Sequence, residues 1–312
     1  MKETVITIQQ NDGYHTTLFC YQTSHTPVLG NILLLHGMAE HHGRYKEFVS
    51  LLNQEGFDVY IYDHRGHGID KKLTDLGFFA NKGGDRLVVS DAITICRYIK
   101  ENGRNDQLAV FGHSMGSLIL RCMIQQYDAI NCALVCATAM LPVALSSLGI
   151  FLADIFCVFR GTRKRSPFLN NVMFGGKLYT SLCTRTAFDW LTRNNTQVGM
   201  YIDDPFCGFV CTTSFYRDLA RLTKRAAVKR NIAKTRKDFP IHFFTGSKDP
   251  VGGYSKQVSR LHKIFTTLGF THTGLTIYPE ARHELLNELN AEEFMRDAIT
   301  FFHTNLNPEK SL

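Results

Sequence analysis

The pentapeptide Gly112-His113-Ser114-Met115-Gly116 sets a hydroxyl between two glycines, after an apolar run at 108–111 and before a helical pattern at 117–126. That is the setting of a nucleophile elbow, a strained strand-to-helix turn that lifts a serine above the edge of a sheet. A side chain at Gly112 or Gly116 would collide with the neighbouring strand or helix. A serine hydroxyl alone is a weak nucleophile. It needs a general base, and the base needs a carboxylate to hold its productive tautomer. Asp249 follows the apolar run at 241–245, and His283 follows a run ending at Tyr278. Both fall at strand ends, where the reactive groups of open parallel sheets gather, in the order serine, acid, histidine. Either residue alone reads as a turn or cap; the joint placing of three points to acyl transfer. The backbone N–H groups of Met38, after the run at 31–35, and Met115 stand where an oxyanion would need donors, each contributing about 3 kcal/mol.

These residues require a sheet to position them. Asn11-Asp12-Gly13 between alternating runs at 4–8 and 14–21 predicts an antiparallel hairpin, since all three residues tolerate positive φ. Strand-like runs at 31–35, 57–62, 108–111 and 133–137 then alternate with helical patterns at 45–54, 87–100 and 117–126. That alternation predicts a parallel sheet. About a hundred residues break the rhythm before it resumes with strands at 241–245 and 275–278 and helices at 254–268 and 291–303. The expected architecture is therefore an α/β core, 1–139 and 239–312, with an inserted helical cap at 140–238.

The cap holds 16 Lys and Arg against 6 Asp and Glu, a net +10, whereas the whole chain carries +7. A basic insertion on a slightly acidic body suggests either a solvated helical face or an anionic partner, such as a membrane surface, an acidic headgroup or a nucleic acid. The densest stretch is Arg217, Arg221, Lys224, Arg225, Lys229, Arg230, Lys234, Arg236 and Lys237. Nine cysteines without a CxxC pair, mostly inside apolar runs, are expected to be reduced, buried thiols of a cytoplasmic protein. The first ten residues lack the charged head and apolar block of a secretory signal and read as a strand.

With these motifs in place the sequence resembles the monoglyceride lipase and lysophospholipase branch of the α/β-hydrolases, the serine aminopeptidase-like family. The resemblance spans nearly the whole chain. It rests on His36-Gly37-Met38-Ala39-Glu40-His41 with Gly43-Arg44-Tyr45, on Asp63-His64-Arg65-Gly66-His67-Gly68, on the elbow, and on the Asp249 and His283 loops. In the cap it rests on Arg193-Asn194-Asn195-Thr196 and Asp204-Pro205. The resemblance implies the α/β-hydrolase fold, a triad of Ser114, Asp249 and His283, oxyanion donors at Met38 and Met115, and no cofactor. Two departures stand out: Ala39 where the family usually has glycine, and Ile69-Asp70 where a serine usually follows.

Other readings compete for some residues. His36, His41, His42, His64 and His67 are dense enough to suggest a metal site, but no carboxylate or cysteine joins them at a metal-binding spacing, and no metal is expected. Asp63, His64 and Arg65 read as a loop scaffold, and Gly83-Gly84 and Gly175-Gly176 as turns. The stretch 140–159 has one charge, Asp154, and is long enough to span a membrane. Pro142, Gly149 and its place between core strands favour an amphipathic lid helix instead, with Leu145, Leu148, Leu152, Ile155, Phe156 and Phe159 on its apolar face. That face would line an acyl tunnel, touch a bilayer or pack on the core.

The expected activity is hydrolysis of single-chain acyl esters, monoacylglycerol or lysophospholipid, through an acyl-enzyme. The alternatives are a short-chain or aryl esterase or an aminopeptidase on the same triad, and a non-catalytic scaffold, which an intact triad disfavours. A peripheral contact of the cap with anionic membrane is expected, nucleic acid is not, and the oligomeric state is left open.

Overall fold

The computed structural model describes residues 2–306. An eight-stranded sheet runs in the order β1-β2-β4-β3-β5-β6-β7-β8, formed by β1 (Lys2–Gln9), β2 (His15–Gln22), β3 (Gly30–Leu35), β4 (Phe57–Tyr62), β5 (Leu108–His113), β6 (Cys132–Cys136), β7 (Ile241–Gly246) and β8 (Thr273–Tyr278). The first two strands form the expected hairpin, with Gln9 opposite His15 and Gly13 at φ 81° in the turn. β2 joins β4 antiparallel, and every pairing from β4 to β8 is parallel.

Because side chains alternate along a strand, each central strand feeds both faces of the sheet. Leu33, Leu35, Val110, Val135 and Phe243 pack on one side with α2 (Gly84–Asn102), α3 (Met115–Met123), α8 (Thr213–Ala227) and α10 (Lys256–Thr267). Ile32, Leu34, Phe111, Leu134 and Phe244 pack on the other with α1 (Lys46–Gln54) and α11 (Ala291–Leu306). Helix α2 starts three residues earlier than its apolar pattern, because Gly83 takes a left-handed conformation (φ 69°) and Gly84 fits closely against Phe79 and Asp218. All nine cysteines are free; Cys157 and Cys183 are half-buried and the other seven are buried.

Between β6 and β7 lie α4 (Val143–Arg160), α5 (Pro167–Phe174), α6 (Lys177–Thr180), α7 (Asn195–Asp203), α8 and α9 (Lys229–Ile232). Helix α4 is long and apolar enough to cross a membrane by length and composition alone. Of the outcomes left open for its apolar face, Leu145, Leu148 and Leu152 line the cavity beside α8 rather than the core. The buried positions are Ser146 and Ala153, with Gly149 close to Ala220 of α8, while Leu145, Leu148, Phe151 and Phe159 are exposed. Small residues allow two helices to approach closely, so the large apolar side chains are turned away from α8 and toward solvent or the cavity beside it. The basic run is also divided. Arg217 pairs with Asp218, Arg221 with Asp154, Arg225 with Asp85 and, at the surface, Arg236 with Asp238, whereas Lys229, Arg230 and Lys234 are exposed.

Candidate active site

The elbow follows directly from β5 into α3. Ser114 sits at φ 51°, ψ −115°, a conformation that an L-residue adopts only under constraint. A Cβ on Gly112 would lie 2.6 Å from the carbonyl oxygen of Gly116, and one on Gly116 would meet the carbonyls of Leu35 and His36 at the end of β3. The two glycines thus let the turn close and let it abut β3.

Asp249 and His283 arrive on two adjacent loops. The loop after β7 is joined to the loop after β8 where the Ser247 amide donates to Tyr278 O and the Lys248 amide to Ala281 O, both at 2.9 Å. Asp249 is fully buried; its Oδ1 accepts from the Val251 amide at 2.9 Å and from His283 Nδ1 at 3.0 Å. His283 Nε2 accepts from Ser114 Oγ at 2.9 Å. The structure therefore brings the three residues into one hydrogen-bonded relay. Burial alone depresses the basicity of His283, but the Asp249 carboxylate, assisted by Glu284 and Glu40, outweighs it, and the net shift is upward. Such a group takes a proton from the serine more readily than an ordinary imidazole.

The loop after β3 carries Met38 to the same place. A Cβ on Gly37 would lie 3.3 Å from that of Ser114, and Met38 and Met115 line one cavity with Ser114 and His283. Among the described residues neither the Met38 nor the Met115 amide donates to a protein acceptor. Ala39, where the family usually has glycine, takes φ 53°. Its amide donates to His67 Nε2 at 3.1 Å, and its carbonyl accepts from Gly208 N and Tyr201 Oη, each at 3.0 Å. A non-glycine residue there costs roughly 1–2 kcal/mol, and the three hydrogen bonds, all made by its backbone, hold it in that conformation. At the second departure, Ile69 is exposed and Asp70 pairs with Lys71 away from the relay.

The rings of His36, His41, His42 and His67 are hydrogen-bonded to neighbouring loops, whereas that of His64 is buried with neither nitrogen bonded. His36 bonds Gly37 O through Nδ1 and accepts the His64 amide through Nε2, while His42 pairs with Asp63 and His67 bonds Arg65 O. Arg65 is clamped by Asp12 and Asp91. The ligand atoms of His41, Asp204 and Cys207 lie within 4.8 Å of one another. His41 Nδ1 accepts from Gly43 N and Nε2 donates to Asp204, while burial raises the Cys207 thiol far above its usual range.

Sequence reasoning gave no role to a second group beside the relay. Arg44 donates to Glu40 at 2.8 Å and, through both terminal nitrogens, to Glu284 at 2.6 and 2.7 Å. Glu40 also accepts from the Gly37 amide and, at 2.9 Å, from Tyr45 Oη. Burial by itself raises the Glu40 carboxyl, but Arg44 overrides it and holds the group at about 2; Glu284 is lowered for the same reason. This bridge ties the loop bearing Met38 to the loop bearing His283. The signal available in sequence was the adjacency His283-Glu284, with Glu40 and Arg44 four residues apart.

The cavity above Ser114 measures about 650 Å³. Its wall is built by Leu145, Leu148 and Leu152 of α4, Val172 and Met173 of α5, and Leu219 of α8; among the described residues it contains no Lys, Arg or Asp.

The chain is similar to known proteins in sequence and in fold. Monoglyceride lipase of Mus musculus is 25% identical over 301 residues, covering 90% of this chain and 87% of that protein. Among solved structures, a carboxyl esterase from Bacillus coagulans in complex with glycerol has a TM-score of 0.89 at 22% identity, covering 98% of this chain and 99% of that one. A soluble variant of monoglyceride lipase from Saccharomyces cerevisiae has a TM-score of 0.76 at 17% identity, covering 98% and 96%. Both carry the α/β-hydrolase fold. The family model for serine aminopeptidase, S33, matches residues 26–290. This chain is thus an α/β-hydrolase and belongs to the serine aminopeptidase S33 family.

Proposed function

We propose that the chain hydrolyses carboxylic esters of single-chain acyl lipids, with Ser114 as nucleophile, His283 as general base and Asp249 as the orienting acid. The observation that carries this reading is the relay from Asp249 through His283 to Ser114, at 3.0 and 2.9 Å, opening onto a largely apolar cavity. Ser114 Oγ attacks the ester carbonyl carbon and its proton passes to His283 Nε2. The carbonyl oxygen, now an anion, accepts from the Met38 and Met115 amides. The C–O bond to the alcohol breaks as His283 returns the proton to the leaving oxygen, and the acyl group remains on Ser114. Water then attacks the acyl-enzyme, His283 takes its proton, and the fatty acid leaves as Ser114 is reprotonated.

The wall supports a choice among substrates. A monoacylglycerol offers an apolar chain and an uncharged head, which match a lining without Lys, Arg or Asp. A lysophospholipid would bring a phosphate with no cation to meet it. An aminopeptidase needs a free carboxylate for the substrate ammonium, and the two carboxylates at the cavity, Glu40 and Glu284, are already held by Arg44. The segment 140–238 acts in this reading as the lid over the acyl site. Its exposed Phe151, Val158 and Phe159, followed by Arg160, favour peripheral contact with an anionic lipid surface. The test is a hydrolysis panel of short p-nitrophenyl esters, monoacylglycerols and lysophospholipids with Ser114→Ala as the blank. Monoacylglycerol should be turned over fastest. Hydrolysis that survives Ser114→Ala overturns the assignment, and a preference for lysophospholipid or for aminoacyl substrates overturns the choice of head group.

A further inference from the structure

Two rings outside the relay pack on its base, His113 and Trp190. Trp190, the only tryptophan of the chain, stands half-buried in the cavity wall with its ring centroid 5.2 Å from that of His283 and the planes inclined by 42°. The backbone on either side of it is bonded to the residues flanking His283. The Arg282 guanidinium donates to Asp189 O, and the Glu284 amide donates to Leu191 O at 2.7 Å. Residue 190 is thereby held against residue 283. Two further aromatic rings fix the indole: Phe174 of α5 is stacked on it at 5.6 Å, and Tyr179 of α6 meets it edge-on at 5.2 Å. Rings packed this closely have few other rotamers open to them.

We propose that Trp190 is a positioning residue for the base: its ring holds the His283 imidazole between Asp249 and Ser114 and favours the imidazolium that forms when Ser114 gives up its proton. This inference rests on the reading of Ser114, His283 and Asp249 as nucleophile, base and acid. The face of an aromatic ring carries negative electrostatic potential, so it attracts a cation, most strongly for tryptophan and where water is excluded. The charged groups around His283 set the background. Asp249 pairs with it, Glu284 and Glu40 add negative potential, and Arg44 offsets that carboxylate pair. His113, whose ring centroid lies 4.9 Å from that of His283, is pushed down to about 4, first by burial and then by the charge of His283. It therefore stays neutral when His283 is charged, and adds no competing cation.

Because Trp190 is the only tryptophan, its emission reports the charge of its neighbour: an imidazolium against an indole quenches fluorescence. In the wild-type protein, emission should fall through one step as pH is lowered, with a midpoint above the ordinary histidine value of 6.5. That midpoint should coincide with the acid limb of kcat/KM on a soluble short ester, and the step should vanish in His283→Gln. Asp189 beside the indole is held below its usual carboxylate range, first against burial and then by bonds from Thr186 and Arg185, and titrates far from this window. Loss of the ring makes the imidazolium less favourable, so the kinetic limb should move to lower pH, by about half a unit to one unit in Trp190→Leu and less in Trp190→Phe. A purely structural role would lower kcat and leave the limb where it was. No step in emission, a step that persists in His283→Gln, or a limb unmoved in Trp190→Phe and Trp190→Leu overturns the inference while leaving the triad intact. Full turnover in His283→Gln overturns the triad reading itself. Should Trp190→Leu fail to fold, the wild-type emission and Trp190→Phe still decide.

Discussion

Replacing Arg44 with methionine removes the cation shared by two buried carboxylates. The side chains of Arg44, Glu40 and Glu284 are 11%, 4% and 5% exposed, so solvent cannot take over the lost pairing. Breaking a buried ion pair from one side costs about 3–5 kcal/mol. Against a total stability of about 5–15 kcal/mol, that loss is large but survivable. Its dependence on pH is the sharper test. In the wild type the folded-state value of Glu40 lies near 2 and that of Glu284 is also below 4.5, so both groups contribute stability above pH 4.5 and lose it as pH falls through their folded values. Without Arg44, burial dominates and the folded values rise above 4.5. The carboxyl groups then fold most favourably when protonated, and the associated stability is lost as pH rises through the raised values. The deficit of Arg44→Met should therefore be widest at neutral pH and should narrow below about pH 5. Urea unfolding at pH 7 and pH 4 measures both, and the triple variant Arg44→Met, Glu40→Gln, Glu284→Gln should recover part of the deficit at pH 7. A deficit under about 1 kcal/mol, or one that does not shrink in acid, would refute the claim that Arg44 compensates two buried charges.

Asp249→Asn should fold and lose turnover on the order of 10³- to 10⁴-fold, because the amide favours the wrong imidazole tautomer; measuring kcat on a short ester decides. Leu152→Trp, at the cavity wall, should suppress turnover of long-chain monoacylglycerol while sparing p-nitrophenyl acetate, which a chain-length series reads directly. Ala39→Gly should relieve the left-handed backbone at φ 53° and raise stability by about 1 kcal/mol, seen as a higher urea midpoint at unchanged slope; no gain would mean that the three hydrogen bonds of that residue already hold the loop without strain.

Much of the core was legible because each of its elements announces itself locally. Asn11-Asp12-Gly13 sets a turn through φ preferences of its own, and runs such as 32–35 and 108–111 are wholly apolar because the strands they form are covered on both faces. The placing of Ser114, Asp249 and His283 could be read for a related reason: in a parallel sheet every strand end lies on the same edge, so sequence position after a strand predicts spatial proximity. Groups defined by contacts between distant segments had no such signal. Glu284 lies 240 residues from Arg44, and Trp190 is brought to His283 by its neighbours, with Asp189 O accepting from the Arg282 guanidinium and Leu191 O from the Glu284 amide. Helix α4 shows the limit most clearly. Hydropathy ranks leucine and phenylalanine as the residues to bury, yet Ser146, Gly149 and Ala153 face α8 while Phe151 and Phe159 stay outside. Close helix packing selects for small volume, and a periodicity scored on hydrophobicity alone assigns the buried side to the larger residues. The leucines at 145, 148 and 152 are then left to the cavity wall and Phe151 and Phe159 to the outside, so the apolar face of this helix follows from what α8 excludes rather than from what hydropathy selects.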